Sequence, residues 1–229
     1  MDWTHNTIWR DQLNPGEFVT VEYRGNRPLP VEIAGATYFH LHKFKAKQAG
    51  LREITGVQSA KYVEIDFSNI SSFEGVSRLG RIKRLELSWC LKLNADRGLA
   101  EIGDSLEWLH IDTSRKFSPT TELFGLKNLK VLCLGGCAPL DNLDFLKNMP
   151  ELLDFRFVDT NILNGDLTPL VQHPRLVNAG FLDKRHYSLK NSQVRLALAG
   201  KKDKVVEYAY KGQFQTYRYK GLGGGEIDA

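Results

Sequence analysis

An α/β solenoid is the fold this chain predicts, with a parallel β-sheet on a concave face and short helical or 3₁₀ turns on a convex one. Three observations predict it. The first is a twelve-residue pattern, Ile82-Lys-Arg-Leu85-Glu-Leu87-Ser-Trp-Cys90-Leu-Lys-Leu93, whose apolar residues at positions 1, 4, 6, 9 and 12 fit neither a helix nor a plain strand. The second is its recurrence. It returns at Leu106-Leu109-Ile111-Ser114-Phe117, at Leu129-Leu132-Leu134-Cys137-Leu140 and, more loosely, at Leu152-Phe155-Phe157-Thr160-Leu163. Units beginning at Ala60, Ile82, Leu106, Leu129, Leu152 and Leu176 are separated by 22, 24, 23, 23 and 24 residues, and a degraded unit precedes them at Ala36. The third is the set of apolar return segments, such as Val76 and Leu79, Leu99 and Ile102, and Leu143, Phe145 and Leu146, each too short for a long helix. No unit can bury positions 4 and 6 alone, so stacking the units makes the core.

With this spacing the chain resembles a leucine-rich repeat protein of the short-repeat kind, over residues 36–188. The resemblance implies a horseshoe that serves as a recognition module. The segment Phe181-Leu-Asp-Lys-Arg-His-Tyr-Ser188 is similar to the closing segment of small stand-alone bacterial proteins of this type.

Taken in order, residues 1–35 are expected to form an N-terminal cap. Glu17 to Tyr23 alternates, Val31 and Ile33 alternate again, and a hairpin there would cover the raw first repeat. About seven units fill 36–188. Residues 189–220 follow as a C-terminal cap, with a helix over Asn191–Ala199 and a hairpin of Val205–Tyr210 and Gln213–Tyr219 about Lys211-Gly212. Lys201, Lys202, Lys204, Arg218 and Lys220 beside its tyrosines offer single-stranded nucleic acid as an alternative role for that hairpin. The glycine-rich stretch 221–229 reads as a flexible tail.

Composition bounds the function. A net charge of +4 without a basic cluster argues against nucleic-acid binding. The start lacks a basic run followed by an apolar stretch, and no eighteen consecutive residues are apolar, so the expectation is a cytoplasmic protein away from membranes. Cys90 and Cys137, both at position 9, and Cys133 on a strand read as reduced structural cysteines.

Function should sit at positions 3, 5 and 7, which alternate with the inward leucines and so face the hollow. The candidate partner-binding residues are Tyr38, His40, Tyr62, Glu64, Asp66, Arg84, Glu86, Trp108, His110, Asp112, Asp154 and Arg156, with Trp89 at the rim position 8 beside Phe67. Large aromatics dominate interface hot spots, and the acidic lean of this face in a basic chain suggests a basic protein partner. His40, His42, Glu64 and Asp66, on adjacent strands roughly 4.8 Å apart, form the one candidate metal cluster. His110 lies three strand spacings away, roughly 14 Å, and cannot join it. No nucleophile elbow, activated cysteine or phosphate loop is present in the sequence, so no catalytic residue and no cofactor is expected.

The resulting expectation is a non-catalytic protein-binding module, monomeric alone. What the resemblance implies more narrowly is a bacterial immunity or inhibitor protein that neutralises a toxin, with a basic nuclease as a fitting target. The alternative is an adaptor or secreted effector docking on host or cell-surface proteins, and a metal-dependent enzyme is third.

Overall fold

The computed structural model describes residues 3–9, 11, 13–22 and 34–220. Its main element is one parallel sheet of eight strands in sequential order. These are β1 (Phe18–Glu22), β2 (Tyr38–His42), β3 (Tyr62–Asp66), β4 (Arg84–Ser88), β5 (Trp108–Asp112), β6 (Val131–Gly135), β7 (Asp154–Arg156) and β8 (Asn178–Gly180). The register is in phase throughout: Phe39 pairs with Val63, Val63 with Leu85, Leu85 with Leu109 and Leu109 with Leu132. Equivalent positions of successive units therefore stack in columns. The leucines at positions 4 and 6 are fully buried in one continuous core with the return segments. The fold is a leucine-rich repeat horseshoe.

Each return is short: 3₁₀ turns at Val76–Leu79, Leu99–Ile102 and Asp144–Asn148, and helical turns α1 (Thr121–Phe124) and α2 (Thr168–Gln172). Their exposed backbone groups are satisfied from the neighbouring unit. Asp96, itself buried, accepts the Thr120 and Leu123 amides at 2.7 and 2.8 Å, and Glu122 accepts those of Gly98 and Ala100. Gly98 stands at φ +93°, where a Cβ would collide with the backbone of Glu74, so the packing of adjacent returns requires glycine there.

Position 9 is a polar column. Cys137 N–H donates to Thr160 Oγ1 at 3.0 Å, Thr160 Oγ1 donates to Leu134 O at 2.7 Å, and Cys90 N–H donates to Ser114 Oγ. The three cysteines are free and buried, and burial pushes the thiols of Cys90 and Cys137 up to about 12. In the sixth unit the inward residue is Ile162, while Leu163 is exposed. This corrects the expected last position, because that turn is one residue shorter than in the preceding unit.

The ends differ from the sequence reading. Tyr23, Val31 and Ile33, which were to complete an N-terminal hairpin, lie outside the described residues, as does the 221–229 tail. Phe18–Glu22 joins the sheet as a parallel edge strand, with Val19 opposite Phe39 and Val21 opposite Leu41. Its two-residue alternation matches positions 4 and 6, so it adds another rung. At the other end the helix is longer than expected. Helix α3 (Asn191–Val205) seats Val194 and Leu198 in the repeat core and closes the solenoid. Its start is held by Gln193, which accepts the Lys190 amide at 2.7 Å, and by Asp183, which accepts that of Asn191. The antiparallel hairpin of β9 (Val206–Lys211) and β10 (Phe214–Tyr219) then folds back over the hollow instead of over the end.

Candidate functional site

The strand periodicity points positions 3, 5 and 7 away from the repeat core, but the structure divides this face in two. Position 3 is covered by the chain's own terminal segments. Tyr38, Tyr62, Arg84, Trp108, Val131 and Asp154 are all nearly or fully buried, with Trp108 only 2% exposed. A second cluster, separate from the repeat core, gathers Trp3, Trp108, Val131, Cys133, Leu153, Val177, Val206 and Tyr219. The expectation that Tyr38, His40, Tyr62, Arg84, Trp108 and Asp154 are open to a partner is therefore corrected: all six are buried, and Arg84, Trp108 and Asp154 contact the cover.

Two charged residues hold it. Asp154, with no exposed surface, accepts Tyr219 OH at 2.7 Å, Tyr217 OH at 3.1 Å and Asn178 at 2.9 Å, and pairs with Arg156 at 2.6 Å. Arg84 donates to the carbonyls of Trp3 and Asn6 at 3.1 Å each and to that of His5, while its guanidinium lies 4.1 Å from the Trp108 ring centre. The N-terminal segment is in turn stitched to β10, with Asn6 N–H donating to Tyr217 O at 2.8 Å and His5 bridging Arg218.

Charges along the edge of this cover are compensated. Burial disfavours ionisation of Glu86, but the adjacent Arg84, whose Nε donates to it at 2.7 Å, overrides this and holds the carboxyl below its ordinary range. Burial, reinforced by Glu86, pushes the Tyr62 phenol well up, and burial likewise raises Tyr219, reinforced by Asp154. Burial holds His110 below the usual imidazole range, against the pull of Glu86. Lys83 and Lys130, at position 2 of their units, both pair with Glu107, at 2.6 and 2.5 Å.

Positions 5, 7 and 8 remain partly open. Glu64, Asp66, Glu86, His110, Asp112 and Arg156 are half-buried. Beyond them runs a row of residues in the left-handed region: Lys43, Phe67, Trp89, Thr113, Gly136 and Asp159, at φ 47–58°. The turn demands it. Each of the first five donates its amide to the position-7 carbonyl of the next unit: Lys43 to Asp66, Phe67 to Ser88, Trp89 to Asp112, Thr113 to Gly135 and Gly136 to Val158. Gly136 shows the residue that suits this conformation, whereas a bulky side chain costs about 1–2 kcal/mol. Yet Phe67 and Trp89 are 45% and 47% exposed, their rings stacked at 5.9 Å with 10° between planes. Packing explains neither residue.

The metal candidates are brought together only in part. His40, His42 and Asp66 present ligand atoms within 4.8 Å of one another. Glu64 turns away to accept Tyr38 OH. The sequence reading missed Trp3, Tyr217 and Tyr219 as the cover. The signal was available in the apolar residues Val131, Leu153 and Val177 at positions 2 and 3, which a water-facing surface would not need.

No protein-family model matches the chain, and no curated protein is significantly similar to it in sequence. Among solved structures, the chain is similar to an internalin (inlF) from Listeria monocytogenes, at 14% identity and a TM-score of 0.43, over 75% of this chain and 54% of that one. The chain thus spans about half the length of that protein. Among the described residues, no helix is long and apolar enough to cross a membrane.

Proposed function

We propose that this chain is a non-catalytic recognition module that binds a basic protein through the open strip of its concave face and the rim beside it. The observation that carries this reading is the exposed, stacked pair Phe67 and Trp89, held in a backbone conformation that glycine would adopt at lower cost. Two large rings at a strained, solvent-facing position are suited to become hot-spot contacts when a partner covers them. Glu64, Asp66, Glu86, Asp112 and Asp159 beside them present an acidic border, against Arg156 and Lys43. That border favours encounter with a positively charged surface. Trp89, Glu64, Asp66, Glu86, His110, Asp112 and Arg156 from the sequence reading remain available for this role, joined by Phe67.

The finer reading is an immunity or inhibitor protein that occludes a basic toxin, and the acidic strip supports it. The test is co-purification with the product of a neighbouring toxin-like gene, comparing the wild-type chain with a Phe67→Ala/Trp89→Ala variant. A complex that weakens with salt and is lost in the double variant supports the reading. Absence of any complex removes the toxin role, and a complex that the double variant retains removes the rim.

A further inference from the structure

We propose that His40, His42 and Asp66 form a binding site for one divalent transition-metal ion of the zinc type. His40 and His42 are positions 5 and 7 of β2, so both side chains leave the same face of one strand. Asp66 is register-paired with His42 on β3. His42 Nδ1 stands 2.7 Å and His40 Nε2 stands 3.2 Å from the same oxygen, Asp66 Oδ1. Ligands about 2.1 Å from a single ion stand roughly 3.4 Å apart in a tetrahedral set, so small side-chain rotations seat an ion among the three.

A second observation points the same way. The His40 side chain is 9% exposed, and its Nε2 is one of the buried polar atoms that have no hydrogen-bond partner among the described residues. Although 3.2 Å from Asp66, it is not aligned to share a proton with it. A buried imidazole nitrogen aimed at a carboxylate and a second imidazole, with no bond of its own, is in the position of a ligand awaiting its ion. The other nitrogen, Nδ1, meets Thr20 Oγ1 of β1 at 3.4 Å, the kind of outer contact that fixes which nitrogen of a ligating histidine faces the metal. Three strands thus contribute, two with ligands and one with support.

The donor set selects the ion. Two imidazoles and one carboxylate suit zinc or its first-row neighbours and are poor for calcium or magnesium, which seek all-oxygen shells. Three protein ligands leave a fourth position. The exposed edge of the cluster is at His42 and Asp66, whose side chains are 26% and 17% exposed, and the His42 ring meets Phe67 edge-on at 5.7 Å. The open position therefore borders the aromatic rim.

The test uses untagged, chelator-treated protein titrated with Co²⁺ and with Zn²⁺. Saturation at one equivalent, with the intense visible bands of four-coordinate cobalt displaced by zinc, is the expected result. His42→Ala and Asp66→Asn should each weaken binding by at least tenfold, and Thr20→Val by about tenfold. His42 lies at the half-buried edge, and circular dichroism identical to wild type shows that its variant is folded. If it is not, His42→Gln takes its place. At about a hundred times its dissociation constant, zinc should raise the melting temperature by roughly 5–10 °C. Failure to saturate at one equivalent, equal affinity in the folded His42 variant, or equal binding of Ca²⁺ overturns the proposal.

Discussion

Asp154→Ala probes the cover on the hollow most sharply. The carboxylate is fully buried and receives four donors at 2.6–3.1 Å: Arg156, Asn178, Tyr217 OH and Tyr219 OH. Truncating it leaves Arg156 without its carboxylate, and the buried Tyr219 and half-buried Tyr217 phenols without this acceptor. Because Arg156 is half-buried and can be rehydrated, losing the pair costs less than the roughly 3–5 kcal/mol of a fully buried one, and each lost hydroxyl bond adds about 1–3 kcal/mol before relaxation. The repeat core does not use Asp154, so the loss should fall on the hairpin. The variant should keep the β2–β6 ladder while β9 and β10 detach. Hydrogen exchange resolved by peptide reads this directly, as near-complete loss of protection in 206–219 with protection in 62–66, 84–88 and 108–112 retained. Tyr219→Phe, which removes one bond to a charged acceptor, should cost about 1.5–3 kcal/mol and open the hairpin less often. Unchanged exchange in 206–219 on Asp154→Ala would refute the claim that this residue anchors the cover.

Trp89→Gly should leave stability within about 1 kcal/mol of wild type in urea denaturation, because relief of the left-handed backbone offsets the lost stacking on Phe67. A loss of 3–5 kcal/mol, the usual result for a packed tryptophan, would show that the ring is structural. His173 Nδ1 accepts the Arg175 and Leu176 amides at 3.3 and 3.0 Å while Nε2 faces Met149 O at 3.1 Å, an arrangement that needs the neutral ring. Burial depresses its pKa, so the stability it contributes is complete above about pH 6.5, its unfolded value, and is lost as pH falls through the folded value. Denaturation at pH 5 and 7.5 should show that loss, reduced in His173→Gln. For Tyr217 and Tyr219 the sign is opposite. Burial, with Asp154 nearby, raises both, so their contribution holds below about pH 10 and declines as pH rises through the folded values. Tyrosinate absorbance should appear later in the wild-type chain than in Asp154→Ala.

The fold was legible because a solenoid repeats its instructions. The columns at positions 4 and 6 and the small polar residue at position 9 recur with each unit, and each local choice agrees with the global one. The site was less legible, because alternation says which face Trp108 points to and nothing about what lies on that face. What covers it comes from segments about 110 residues away in sequence, and a two-residue period carries no such information. Leu153 and Val177, apolar at position 2, were the trace of it. The position-8 conformation was equally hidden: Phe67 and Trp89 read as rim aromatics in the sequence, while their left-handed backbone emerges only from the amide that each donates to the next unit.

The chain's own ends fill the hollow at position 3 and leave it open at the rim. Oxidative footprinting of the four tryptophans, read by mass spectrometry, tests this most directly. Trp89, 47% exposed, should be modified at least tenfold faster than Trp108 and Trp3, which are 2% and 7% exposed. Modification of Trp108 at the rate of Trp89 would show that the terminal segments do not cover position 3.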